Sequence, residues 1–399
     1  MRDIQAPRSP TPAPPKQPEQ EPITEPAPPT PTTPPEPPHN RSTSWWHRHW
    51  KWAVPAIALI VLGSGGALAW HFRPQSAPVA VKATPKPTPI PTPTPTPATR
   101  ASALTGLQVP NEVAGRPVTG VVIENQTDSR PQSGLSQAGV VYEALAEGGI
   151  TRFVAFFLDN KPTIIGPVRS LRTYFLSWGL EFDAPIAHAG GNADALDLVA
   201  PLGLKDLNAL TTASNAFYRT SDRQAPHNLY TSSDALDQLL LRLNYNKPTA
   251  LVPSPRKDDS PGTGGAPHPN IHINYSYNGY QVDYQYAAAT NDYLRLLAGK
   301  PHIDRNTNQP IRVKNMVLEY MPTTNGTTRI GEQTVVMQTV GTGRAVVFRD
   351  GVAIEGTWSK ASHSARTKLL DATGKDIPLN AGNTWYSIVP DNIPKAVSY

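Results

Sequence analysis

The chain has 399 residues, 45 prolines, no cysteine and a formal net charge of +5. Without cysteine there is no thiol nucleophile, no cysteine zinc site, no disulfide framework and no lipid-modified N-terminus. Of 36 Lys and Arg residues 10 precede Leu104, and of 31 Asp and Glu residues 5 do, leaving 26 of each from Leu104 onward; this neutral region gives no support for nucleic-acid binding.

Residues 1–52 read as a disordered, Pro-rich cytoplasmic tail. From Gln5 to Pro38 proline is mixed with Thr, Glu and Gln and almost no large apolar side chain, so the segment cannot bury enough surface to fold. Its Pro-x-x-Pro spacings could dock a cytoplasmic partner that reads polyproline II, although low complexity also generates such spacings freely.

Residues 53–70 read as a transmembrane helix, which makes membrane lipid an expected partner. A run of that length rises roughly 27 Å, enough for a hydrocarbon core. Trp45, Trp46, Trp50 and Trp52 crowd one edge and Trp70 marks the other, as interfacial aromatics do. Arg41, Arg48 and Lys51 lie closer to the run than Arg73, Lys82 and Lys86, which places the N-terminus in the cytoplasm and the C-terminal region outside. The competing reading is a signal peptide cleaved after Ala69, since Ala67-Leu68-Ala69 has the small residues of a cleavage site, but the segment before the run is far longer than a usual signal n-region. Residues 71–103 form a Pro/Thr-rich stalk reaching at most roughly 90 Å as polyproline.

Residues 104–245 alternate predicted strands and helices, an α/β pattern. Val118–Glu124 and Phe153–Leu158 read as buried strands. A helix capped by Ser170 is predicted from Leu171 to Phe182, and two more begin near Asn192 and Ser233. Residues 246–270, rich in Pro and Gly, read as a linker. Residues 271–399 read as a β-rich α+β half: strands at Ile271–Tyr277, Gln281–Tyr286, Ile311–Tyr320, Thr334–Thr339, Ala345–Phe348 and Thr384–Val389, with one helix near Asn291–Ala298. Two separate cores are expected.

Several strings then carry a resemblance. Arg130-Pro-Gln-Ser-Gly-Leu135, Val141-Tyr-Glu143, Glu147-Gly-Gly-Ile-Thr-Arg152, Ile165-Gly-Pro-Val-Arg-Ser170, His188-Ala-Gly-Gly191 and Ala225-Pro-His-Asn-Leu-Tyr230, with Gly356-Thr-Trp-Ser-Lys360 and Asn383-Thr-Trp385, together resemble the YerB-like family of bacterial extracytoplasmic proteins. The resemblance implies a lipoprotein or membrane-anchored protein with two domains of unknown function and supplies no established reaction. A transmembrane segment stands here where a lipidated cysteine is common.

The residues suggest three candidate centres. With Ser170 as N-cap, Arg169 and Arg172 fall at the positive end of a helix, where a phosphate or carboxylate would be welcome; the structural alternative is an ion pair with Glu143, Glu181 or Asp183. A two-residue turn at Gly148-Gly149 would pair Glu147 with Ile150 and set Glu143 and Glu147 beside Arg152 on one sheet face. Their separation of roughly 13 Å exceeds the spacing of glycosidase carboxylates, which favours a salt-bridge network. His188 ends a strand where α/β folds present ligands, and His227 and Asn228 follow Arg219 in a polar loop. Either histidine could act as acid or base, coordinate a metal or brace backbone, and Tyr275, Tyr277, Tyr280, Tyr284 and Tyr286 could line a groove or simply pack in strands. No metal or cofactor motif occurs.

The expectation is a membrane-anchored extracytoplasmic binding or scaffolding protein of the bacterial cell envelope. Arg152, Arg169, Arg172, His188, Arg219, His227 and Asn228 would form a pocket for an anionic envelope ligand or peptide. The alternative is an enzyme acting on phosphate-bearing envelope glycans or lipid-linked intermediates.

Overall fold

A computed structural model describes residues 98–399 apart from 212, 250, 261–267 and 394–395. The expected tail, the apolar run at 53–70 and the stalk up to residue 97 lie outside the described residues. Among those described, no helix is long and apolar enough to cross a membrane.

In the first half, strand β1 (Thr119–Glu124), β2 (Val140–Leu145) and β3 (Thr151–Phe157) are followed by helix α1 (Thr173–Glu181), β4 (Ile186–His188), α2 (Ala193–Val199), β5 (Asp206–Asn208) and α3 (Ser233–Arg242). In the second half come β6 (Asn270–Asn274), β7 (Gln281–Ala287), β8 (Asp292–Leu297), β9 (Asn315–Met321), the hairpin β10 (Thr323–Thr327) and β11 (Gln333–Met337), then β12 (Gly341–Arg349), β13 (Val352–Lys360), β14 (Lys368–Leu370) and β15 (Thr384–Pro390). The strand-rich mixture of the two halves matches the sequence reading in outline, and it differs in how the halves join.

They share one sheet. Its ten strands run β14-β13-β12-β9-β15-β2-β3-β1-β4-β5. The C-terminal strand β15 lies at the seam, parallel to β9 on one side and to β2 on the other. All seven of its residues are buried, as a strand covered on both faces requires. Instead of one core per half, one core lies on each face of the sheet, and each draws residues from both halves. Tyr142 of β2 shows the join: its ring stacks at 4.6 Å on Trp178 of α1 and at 4.4 Å on Tyr386 of β15.

Two predicted helices change. α1 begins at Thr173, with Arg172 at the N-cap position and no side-chain cap. Leu171 is held extended because its N–H donates to the Gly190 carbonyl and its own carbonyl accepts from Asn192 N–H; Arg169 and Arg172 therefore precede the helix instead of occupying its first turn. The segment near Asn291–Ala298 is the strand β8, paired along its length with β7. Left-handed Asn291, Ala298 and Gly299 turn the chain at its ends, and Tyr293, Arg295 and Leu297 alternate into the core. A charged Arg295 at a core position disguised that period of two. The starts expected near Asn192 and Ser233 are found, with Asn192 and Ser232 as side-chain caps.

Candidate functional site

The β2–β3 hairpin sets the site. Ala146 N–H donates to the Ile150 carbonyl at 2.7 Å, so the loop has three residues, Glu147–Gly149, with both glycines left-handed at φ 70° and 72°. The pairing is Leu145 with Thr151 and Ala144 with Arg152, one residue away from the register that a two-residue turn would give. A slip of one residue sends side chains to the opposite face. Arg152 consequently lies on the α1 side of the sheet, and Glu143 faces the other way.

On the α1 side, basic side chains meet two carboxylates. Gly166–Arg169 runs along β1, with Glu124 N–H on the Pro167 carbonyl and Arg169 N–H on the Val122 carbonyl, both at 2.9 Å. Arg169 Nε then donates to Glu124 Oε1 at 2.8 Å, while His227 Nδ1 sits 3.0 Å from Glu124 Oε2. Arg172 makes a two-pronged pair with Glu147, both bonds at 2.6 Å. Burial alone would raise the Glu147 carboxyl, but the Arg172 bonds and charge hold it below its ordinary value. Arg152 is buried beside them, opposite Glu124 across β1 and β3. It donates to the Ser170 carbonyl at 3.1 Å, and burial followed by the Arg172 charge lowers its pKa to about 10. The acids that close these pairs are Glu124 and Glu147, not the Glu143, Glu181 or Asp183 anticipated.

Of the seven residues expected to form one pocket, four gather in this row: Arg152, Arg169, Arg172 and His227. His188 is wholly buried, its ring nitrogens 2.7 Å from the Gly190 carbonyl and 2.6 Å from Asp206. Arg219 donates to Asn228 Oδ1 at 2.8 Å, and Asn228 Nδ2 bonds the Thr220 and Arg223 carbonyls, so this pair braces its own loop. Three of the tyrosines, Tyr275, Tyr280 and Tyr284, are core residues, and Tyr277 is half exposed.

Glu147 also lines a cleft of about 610 Å³ between the Glu147–Gly149 turn, the β10–β11 hairpin, Ser276 and Pro390–Ile393. Hydroxyl and amide side chains, among them Ser276, Thr324, Asn325, Gln333 and Asn392, share it with an apolar lining of similar extent; among the described lining residues Glu147 alone ionises. The hairpin is tied to α2 by Asn192 Nδ2 donating to Thr334 Oγ1 at 2.8 Å, and by Glu332 accepting from Ala193 N–H at 3.2 Å. Among the described residues no group of three His, Asp or Glu side chains is arranged to hold a metal ion.

The other face holds what sequence reasoning missed. Arg295 Nη2 donates to Glu143 Oε2 at 2.6 Å, both side chains fully buried. Its Nη1 donates to His302 Nδ1, His302 Nε2 meets Gln132 Oε1 at 2.8 Å, and Gln132 Nε2 meets Asn125 Oδ1 at 2.9 Å. Asn125 Nδ2 donates to Thr151 Oγ1 at 2.6 Å and Thr151 to Glu143 Oε1 at 2.9 Å, closing a ring. An arginine has no acceptor, so Nδ1 of His302 must be the bare nitrogen and Nε2 must carry the proton. Burial, then the charges of Arg295 and Arg130, push the His302 pKa well below its ordinary value. The signal lay in the Arg130-Pro-Gln string: Gln132 is a ring member, and Arg130 bonds Asn125 and the Gly279 carbonyl.

A two-domain protein sharing one sheet, with a cleft at the seam, is the class these features define. Residues 104–246 match the N-terminal domain, and residues 271–386 the C-terminal domain, of a protein of unknown function, DUF3048. The chain is 32% identical over 292 residues to "Putative lipoprotein YerB" of Bacillus subtilis strain 168, covering 72% of this chain and 86% of that protein. The crystal structure of YerB protein from Bacillus subtilis superposes with a TM-score of 0.66 at 31% identity, covering 74% of this chain and 98% of that one. The chain belongs to the YerB-like DUF3048 family.

Proposed function

We propose that this chain is an extracytoplasmic binding or scaffolding module of the bacterial cell envelope, anchored through the apolar run at 53–70, with its ligand in the seam cleft. The relative named as a lipoprotein supports the location, because a cysteine-free chain needs another anchor to reach the same surface. The carrying observation for the ligand is the cleft lining: uncharged hydroxyl and amide groups of the second half beside one closed ion pair. Such a surface suits a neutral, hydroxyl-rich envelope glycan. An anionic ligand would instead compete with Glu124 and Glu147 for Arg169 and Arg172. Hydrolysis by paired carboxylates would require a second acid near Glu147, which weighs towards binding over turnover.

The test is calorimetric titration of the full chain in lipid nanodiscs with neutral and with phosphate-bearing envelope glycan fragments. Saturable binding of the neutral fragments, weakened at least tenfold by Asn325→Ala with Gln333→Ala, is the expected result. Preference for phosphate-bearing fragments that is lost in Arg169→Gln overturns the neutral-ligand reading, and conversion of either fragment to product overturns the non-catalytic one.

A further inference from the structure

A second sheet is drawn from the C-terminal half. Its strands β8, β7 and β6 are followed at the edge by a short strand β16 (Val397–Ser398). One face feeds Ile271, Ile273, Val282 and Tyr284 into the core. The other carries a row set by register, with Ser398 directly opposite His272 and His272 directly opposite Asp283. Opposite side chains of antiparallel strands share a face, with Cβ atoms about 4.5–5.5 Å apart. A hydroxyl, an imidazole and a carboxylate therefore lie side by side, in a shallow groove of about 480 Å³ that also takes in Asn270, Gln285 and Tyr399. The groove shares no lining residue with the seam cleft.

The proton positions within the row follow from its partners. Asp283 Oδ1 lies 2.7 Å from His272 Nδ1. A carboxylate only accepts, so Nδ1 carries a proton, and Nε2 of the neutral ring is the free base. Among the described residues the Ser398 hydroxyl is not committed elsewhere, and rotation about one bond brings it within reach of the imidazole. The strand presenting it is held on both sides of the serine. Asn274 N–H donates to the Ala396 carbonyl at 2.7 Å; the Tyr399 ring packs edge-on against Phe348 at 5.0 Å, and its hydroxyl accepts from Arg344 at 2.9 Å and donates to Glu355. One row along, the exposed amides of Asn270 and Gln285 face each other on the same side of the sheet. Such diagonal neighbours lie about 7–8 Å apart, within reach of a group held between them.

We propose that this row is a serine acyl-transfer site that hydrolyses small carboxylic esters. Ser398 Oγ bonds to the ester carbonyl carbon as its proton passes to His272 Nε2, and the Asn270 and Gln285 amides donate to the oxygen that becomes negative. Collapse breaks the bond to the alcohol oxygen, which takes the proton back from His272. Water then adds to the acyl-serine by the same route, releasing the carboxylic acid and restoring the hydroxyl. Asp283 is a positioning residue that holds the ring in the tautomer with Nε2 free. The reaction breaks neither a glycosidic nor a phosphate bond, so it stands or falls apart from the seam-cleft reading.

The test is nitrophenolate release from p-nitrophenyl acetate by the full chain in nanodiscs, with mass spectrometry of the trapped acyl-enzyme. Saturable turnover is expected, with the acetyl group on the peptide that contains Ser398. The His272 and Asp283 side chains retain 41% and 32% of their exposure, and so exposed a pair adds little to folding; substitutions there should leave the urea midpoint where it is. Ser398→Ala should abolish turnover, and His272→Gln should lower kcat about a hundredfold. Asp283→Asn should lower kcat at least tenfold with KM unchanged, which a merely structural role would not do. The seam-cleft variant Asn325→Ala with Gln333→Ala should leave ester turnover at the parent rate. Absence of turnover by the parent chain, turnover retained in Ser398→Ala, or acetylation at another residue overturns the proposal: the row is then an ordinary set of cross-strand neighbours.

Discussion

Glu143 and Glu147 lie four residues apart on one hairpin, each bonded to an arginine at 2.6 Å, yet they belong to different physical worlds. Glu143 and Arg295 have no exposed side-chain surface. Burial opposes the Arg295 charge, and Glu143 more than restores it; Thr151 Oγ1 and the Trp385 indole N–H also donate to the carboxylate, at 2.9 and 3.1 Å. The Glu147 and Arg172 side chains retain 23% and 12% of their exposure and border an open cleft. The same chemical pair serves as a seam between two halves in one place and as the wall of a candidate site in the other. What separates them is solvent: removing one partner of a dry pair strands a charge, whereas water can take over at a wet one.

The sharpest way to break this comparison is Glu143→Gln, which leaves Arg295 charged and buried. It should cost about 3–5 kcal/mol of folding stability, read from the urea midpoint; a loss below about 1 kcal/mol would sink the seam assignment. Next is Glu319 of β9, a buried carboxyl with one oxygen unpartnered, raised to about 8 by burial and by the Glu181 charge. The unfolded chain releases this proton near its ordinary pKa while the folded chain keeps it until about pH 8. Stability therefore falls as pH rises through that window. Glu319→Gln should remove the slope and exceed the parent by about 4 kcal/mol at pH 8.

His302 works in the reverse direction. Its folded pKa is depressed, so the unfolded state takes up a proton first, and stability is complete above the ordinary histidine value near 6.5. Below it the loss approaches about 1.4 kcal/mol per pH unit until the folded ring itself titrates. Nitrogen-15 NMR should find the His302 ring neutral, protonated on Nε2, at pH 5.5. An imidazolium signal there would dissolve the ring as described.

Much of the first half was legible because its elements carry local signals. Asn192 and Ser232 cap helices through their own oxygens, and β1 is an unbroken buried run. The pairing register of the hairpin was not, because Gly148-Gly149 satisfies a two-residue or a three-residue loop equally well and only the closure at Ala146 and Ile150 decides. Arg295 hid β8, since a charged residue at a core position looks like a polar face until Glu143, 152 positions earlier in the chain, is brought beside it. The candidate site was half visible for the same reason. Arg152, Arg169, Arg172 and His227 announced a basic cluster, but Glu124 reads as the ordinary end of a strand, and nothing local says that Arg169 and His227 share it.

The smallest expected effect tests the wet member of the comparison most directly. Arg172→Ala removes both bonds to Glu147, yet water from the cleft can solvate the carboxylate left behind, so the loss should be about 1 kcal/mol. The pair also fixes a sign with pH. Glu147 has a depressed folded pKa, so its contribution is present above the ordinary carboxylate value and is lost as pH falls through the folded one. A double-mutant cycle of Glu147→Gln and Arg172→Ala, read from urea midpoints at pH 7 and again at pH 3, should show smaller coupling at the second. Coupling at pH 7 as large as the cost of Glu143→Gln would mean that the cleft wall is as dry as the seam, and it would remove the basis for treating the two carboxylates differently.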